Sequence, residues 1–161
     1  KMKQINQKSY EKALKWIVEI LKREKIKFSI LGGLAAYAYG SKRMLVDIDL
    51  IIRNKDFVSL LSDVKRYVEE KPHFSRSENW ECYYMELRYL GIIIEIAGDK
   101  NCKIFNTKNG KWEKFENGLS KPIIKKVFGM SLPFISKSKL IKYKEKLMRE
   151  IDAIDLKWLR S

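Results

Sequence analysis

The chain is short of the residues on which much hydrolytic and metal chemistry is built. Among its 161 residues there is one histidine, His73, next to Pro72 in an expected loop. A single imidazole excludes a zinc centre of the multi-histidine kind and argues against a Ser-His-Asp or Cys-His device. Cysteine is almost as scarce: Cys82 and Cys102 stand alone, with no C-x-x-C spacing. The default for such a pair is reduced cytosolic thiols. Long apolar runs are missing too. The longest weakly polar stretch, Ile30 to Gly40, is too short to span a bilayer. Lys1-Met2-Lys3-Gln4 leads into a charged helix rather than the apolar region of a signal peptide. No internal repeat, low-complexity tract or interdomain linker is visible. The expectation from these absences is a soluble cytoplasmic protein with no membrane partner, whose catalysis runs on carboxylates, lysines and metal.

What the chain does contain is positive charge and apolar residues. Lysine and arginine number 34 against 20 acidic residues, a net charge of +14, and 45% of residues are hydrophobic. That composition can bury a core and is not that of a disordered chain. The charge attracts nucleic acid and anionic ligands, although lysine-rich surfaces also arise without such a partner. Aromatic and basic residues alternate through Trp80, Tyr83, Tyr84, Arg88 and Tyr89. Such mixtures can stack bases, and more often are strand residues with one buried face.

Periodicity predicts an amphipathic helix over 9–25 capped by Ser9, a strand over 26–31, and a short helix over 34–39. A second strand follows over 46–52, then a helix over 54–70 broken at Lys71-Pro72-His73. Strand-like alternation continues to Leu90, and Gly91 to Ala97 is a strongly apolar strand. Asn109-Gly110 marks a hairpin over 103–115. Residues 116–132 read as irregular, and a final helix over 136–160 breaks near 149–152. The fold class expected is α/β (α+β), a mixed twisted sheet flanked by helices. We expect one domain over 1–161, with 103–161 as a β-hairpin plus C-terminal helical extension.

The informative segment is Leu31-Gly32-Gly33, thirteen intervening residues, and Asp47-Ile48-Asp49-Leu50. A strand has a side-chain period of two, so Asp47 and Asp49 point to one side while Val46, Ile48, Leu50 and Ile52 build a core on the other. Two like charges about 5 Å apart repel by roughly 3 kcal/mol at an effective dielectric near 20. A hard divalent cation between them removes that repulsion. The glycine pair follows a strand and opens a helix, where exposed amides form an anion site. Glu95, alone in the apolar strand Ile92 to Ile96, would be costly to bury unpaired. If its strand lies beside the Asp strand, Glu95 completes a three-carboxylate cluster.

This order of features resembles the nucleotidyltransferase superfamily of the DNA polymerase beta type. Leu31, Gly32 and Gly33 match the family's first element, Asp47 and Asp49 its Asp-x-Asp, and Glu95 its third acidic residue. The core resemblance spans about residues 26–97. A weaker likeness to small antibiotic and toxin-type nucleotidyltransferases continues through Leu132-Pro133-Phe134-Ile135-Ser136, Leu140, Lys144 and Asp152 to Asp155. The resemblance implies transfer of a nucleoside monophosphate from a nucleoside triphosphate (NTP) to a hydroxyl. Asp47, Asp49 and Glu95 would hold magnesium or manganese and act as the catalytic carboxylates. Gly32, Gly33, Ser41, Lys42, Arg43 and Lys144 would bind the nucleotide. The basic charge tilts the acceptor toward RNA such as tRNA, as in toxin-type members, ahead of a protein or small molecule. The alternative is an inactive scaffold that grips nucleic acid or a partner as half of a toxin–antitoxin pair.

Overall fold

The structure, a computed structural model, describes residues 6–161; the Lys1 to Gln4 segment considered above lies outside them. Helix α1, Gln7–Arg23, opens the chain. Its cap is Asn6, not Ser9: the Asn6 Oδ1 accepts from the amides of Lys8 at 2.9 Å and Ser9 at 3.3 Å. Asparagine in extended backbone satisfies two of the helix's orphan donors, which moves the start forward. Leu14, Ile17, Val18 and Leu21 form its buried stripe.

Strand β1, Phe28–Leu31, runs directly into α2, Gly32–Ala38, and strand β2 covers Ile48–Ile52. A 3-10 turn at Asn54–Asp56 leads to α3, Phe57–Val64. Here the structure departs from expectation. The helix expected to reach residue 70 ends early, and Val68–Arg76 is strand β3, with Pro72 and His73 inside it. β3 is an edge strand whose register against its neighbour shifts between Val68 and Glu70 and again between Glu70 and His73. A shifted edge tolerates a residue without an amide donor. His73 is therefore a strand residue, opposite Tyr84.

Strands β4, Trp80–Tyr89, and β5, Ile92–Gly98, form the central hairpin, and β6, Lys103–Asn106, with β7, Lys111–Lys114, forms the expected one at Asn109-Gly110. The stretch read as irregular contains a further hairpin: β8, Ile123–Val127, and β9, Met130–Phe134. Phe128 and Gly129 between them both have positive φ, 50° and 78°, the backbone of a tight two-residue turn. Helices α4, Lys137–Leu147, and α5, Glu150–Leu159, meet at a break where Met148 takes a left-handed φ of 45°.

The strands make one mixed sheet in the order β7-β6-β4-β5-β2-β1-β9-β8, with β3 on the other edge of β4. β2 and β5 are parallel, as are β1 and β9. One face carries Ile48, Leu50, Ile52, Met85, Leu87, Ile94 and Ile96, all fully buried. By the strand period, Asp49, Tyr84, Glu86 and Glu95 lie on the other face. No helix among the described residues is long and apolar enough to cross a membrane.

Candidate active site

Strand register builds the site. Asp49 pairs with Glu95 across the parallel β2–β5 ladder, and with Leu31, the residue before Gly32, across β1–β2. Asp47 sits one residue ahead of β2 rather than within it, and the Tyr10 hydroxyl of α1 donates to its carbonyl at 2.8 Å. Carboxylate oxygens of Asp47, Asp49 and Glu95 all come within 4.8 Å of one another. Three carboxylates so placed repel strongly. Burial, then the Glu95 charge, pushes Asp47 up to about 6. Burial, followed by the charges of Asp47 and Glu95, raises Asp49 well above the ordinary carboxylate range, while Lys144 pulls the other way. An all-oxygen donor set of this kind fits a hard divalent cation such as magnesium or manganese.

The glycine pair is required by close approach. A Cβ at residue 32, whose φ is +63°, would fall inside the Asp49 carboxylate, and one at residue 33 would lie 2.8 Å from Arg43 Nη2. Any side chain there displaces one of the site's charges. The amide of Gly32 donates to the Tyr143 hydroxyl at 2.6 Å, so this expected phosphate donor already has a partner. Leu31 supplies no side-chain acceptor to the first turn of α2.

Behind the glycines lies a second, ionic cluster. Arg43 donates through Nε and Nη2 to Asp155 at 2.9 and 2.8 Å, and Ser41 Oγ donates to the same carboxylate at 2.8 Å. The Lys144 ammonium reaches Asp152 at 3.1 Å and Asp155 at 2.9 Å. Arg149 forks onto Asp152 at 2.7 and 3.1 Å. Burial alone would raise these two carboxyls; hydrogen bonds and charge from Arg149, Arg43 and Lys144 win, and both lie below the usual range. Lys144 is 1% exposed. Its ammonium is engaged by both members of this pair. Lys42 also stands apart: it is exposed, with its ammonium 5.4 Å from the centre of the Trp158 ring.

Asp49 and Glu95 open into a cavity of about 350 Å³, whose lining includes Trp80, Phe115 and Tyr143 with Glu70, Tyr84 and Arg149. The three large aromatics pack edge to face. No lysine lines it. Tyr84, Tyr143 and Arg149 were not among the site residues expected from the sequence. Tyr84 Oη lies 2.9 Å from both Glu86 Oε1 and Glu95 Oε1; with one hydrogen to give, it donates to one of them at a time. Burial, then the charge of Glu95, raises its phenol well above the ordinary range. Tyr143 and Arg149 come from α4 and the α4–α5 break, where their only signal is position in the closing segment.

The class defined by this sheet order and acidic trio is the nucleotidyltransferase fold. The protein TM1012 of Thermotoga maritima, a nucleotidyltransferase by inference, superimposes with a TM-score of 0.74 at 26% identity, over 98% of this chain and 96% of that one. The lincosamide antibiotic adenylyltransferase LnuA, solved with lincomycin bound, gives 0.67 at 18% identity over 99% of both chains. ANT(2'')-Ia, solved with adenylyl-2''-tobramycin, gives 0.60 at 14% identity over 92% of this chain and 86% of that one. By fold the chain stands with the nucleotidyltransferase enzymes. No family model and no curated protein matches its sequence.

Proposed function

We propose that the protein transfers a nucleoside monophosphate from an NTP to a hydroxyl of a small acceptor molecule. One observation carries this reading: three carboxylates converge beside a glycine turn, with no ion pair to a cation among the described residues. Asp47, Asp49 and Glu95 would hold a divalent cation, magnesium or manganese. When bound, that ion neutralises phosphate charge and favours in-line displacement at the α-phosphorus.

The chain's own groups divide the remaining work. The first-turn amides of Gly33 and Leu34 face the triphosphate. The Arg43 guanidinium, held against Gly33 by Asp155, supplies fixed positive charge toward the leaving pyrophosphate. Ser41 and Lys144 serve indirectly by fixing Asp155. Glu95, held by Tyr84, faces the acceptor side and takes the hydroxyl proton. Lys42 has no part in this reading.

An aromatic cavity with carboxylates and no lysine suits a small neutral or cationic acceptor better than a polyanion. LnuA is described as a lincosamide antibiotic adenylyltransferase, and ANT(2'')-Ia was solved in complex with adenylyl-2''-tobramycin. RNA, including tRNA as for a toxin, is the second reading, favoured by the net charge of +14. An inactive binding module is disfavoured, because a pure anion binder gains nothing from three carboxylates in its cleft.

The test incubates the protein with each α-labelled NTP, magnesium or manganese, and panels of hydroxyl compounds including lincomycin, tobramycin and total RNA. Metal-dependent label transfer with release of pyrophosphate, lost in Asp49→Asn, supports the assignment. Transfer by Asp49→Asn at the parent rate overturns it, as does no turnover of any NTP with any acceptor.

A further inference from the structure

We propose that Cys82 and Cys102 are an oxidisable dithiol in the wall of the reaction cavity, which peroxide closes to an internal disulfide. These are the chain's two cysteines, twenty residues apart, and the sheet brings them face to face. The β4–β6 ladder pairs Trp80 with Ile104 and Glu81 with Lys103, so Cys82 lies opposite Cys102 in the next position. The Phe105 amide donates to the Asn79 carbonyl at 2.9 Å, which makes 79/105 a hydrogen-bonded pair. Alternation then makes 82/102 a non-hydrogen-bonded pair, the kind whose side chains approach most closely. Cα separation in such a pair falls within the span a disulfide bridges.

Both thiols are buried, 6% and 3% exposed, and both line the cavity beside Glu95. The exposed Glu70 and Ser77 line the same cavity, so a molecule as small as hydrogen peroxide has a route in. The interaction between the two thiols is the largest influence on each: it lowers the pKa of Cys82 and raises that of Cys102. Cys82 is therefore the attacking sulfur. Its thiolate displaces hydroxide from the peroxide oxygen to give a sulfenic acid. The Cys102 sulfur then displaces the sulfenic oxygen as water. In total, two thiols and one hydrogen peroxide give one disulfide and two waters; the sulfurs lose two electrons and the peroxide gains them. The β4–β6 ladder holds two register pairs, so the new bond becomes its main fastening and sets the shape of that wall. Control of acceptor turnover by the bond rests on the nucleotidyltransferase reading; formation of the bond does not.

The native protein is titrated with hydrogen peroxide and followed by intact mass, thiol count and thermal melting. The expected product is a monomer lighter by two hydrogen atoms, with no titratable thiol and a melting midpoint raised by about 5 °C or more, all reversed by dithiothreitol. Cys102→Ser should stop one oxygen heavier and react with dimedone. Persistence of both thiols, stable addition of oxygen without loss of hydrogen, or a covalent dimer overturns the proposal. In the transfer assay a rate change of at least threefold between oxidised and reduced forms supports control. An equal rate with the bond in place overturns control alone, and no transfer by either form counts against the nucleotidyltransferase reading, with the mass result still standing.

Discussion

Two groups of carboxylates sit within one fold and meet opposite electrostatic fates. Asp152 and Asp155 are fully buried, yet Arg43, Lys144 and Arg149 surround them and hold them ionised. Asp47, Asp49 and Glu95 are partly open, with no cation bonded to them among the described residues and with Asp47 and Asp49 pushed toward the neutral form. The first group is complete as folded. The second is complete only with something positive added, and the difference separates a frame from a reaction centre.

The comparison can be broken at either end. Asp49→Asn should lower metal-dependent transfer by about a thousandfold or more with the fold intact, read from initial rates and circular dichroism. Lys144→Met should act the other way, on stability. Removing one partner of a buried pair costs about 3–5 kcal/mol, measured by urea unfolding. If Lys144→Met melts like the parent, the second cluster is not a frame.

pH sharpens the contrast, because the two clusters give opposite slopes without metal. Asp152 and Asp155 have depressed values, so the stability they add is present above the unfolded value of 3.8 and is lost as pH falls below it. Asp47 is raised from 3.8 to about 6. Its folded form holds the proton more tightly, so stability falls as pH rises through that window, by on the order of 3 kcal/mol at full ionisation. Asp47→Asn in chelator should therefore melt higher than the parent at pH 7.5, and the gap should close near pH 4. Saturating magnesium should close it too, by stabilising the parent. The smallest effect is expected from Tyr84→Phe, which removes the hydroxyl on Glu95. Manganese affinity should fall about tenfold, read by titration of the metal alone, with little change in melting.

The frame and the centre were unequally legible in the sequence. The glycine pair stood out because it ends an apolar strand and the Asp-x-Asp and Glu95 because they put carboxylates into apolar runs, and β2 and β5 are patterned enough to be seen without partners. Register is what local pattern does not carry. That Glu95 lies beside Asp49, or Cys82 opposite Cys102, depends on how strands slide past one another across the whole sheet. Tyr84 and Arg149 resemble ordinary surface residues until their neighbours are placed. The β3 strand was missed for a different reason: Pro72 reads as a breaker, and only the shifted register of an edge strand accommodates it. The burial of Lys144 was not legible either, since it depends on where Asp152 and Asp155 arrive.

The bond from Arg43 to Asp155 closes a separation of 112 residues. Contacts so distant along the chain must pay loop-closure entropy before they give anything back, and they form late. During refolding, the hairpins of the sheet should therefore gain protection from hydrogen exchange before Arg43 is fastened over Gly33. An early intermediate would already look native in its strands while its glycine turn had no guanidinium beside it, and turnover should recover only after the slowest folding phase.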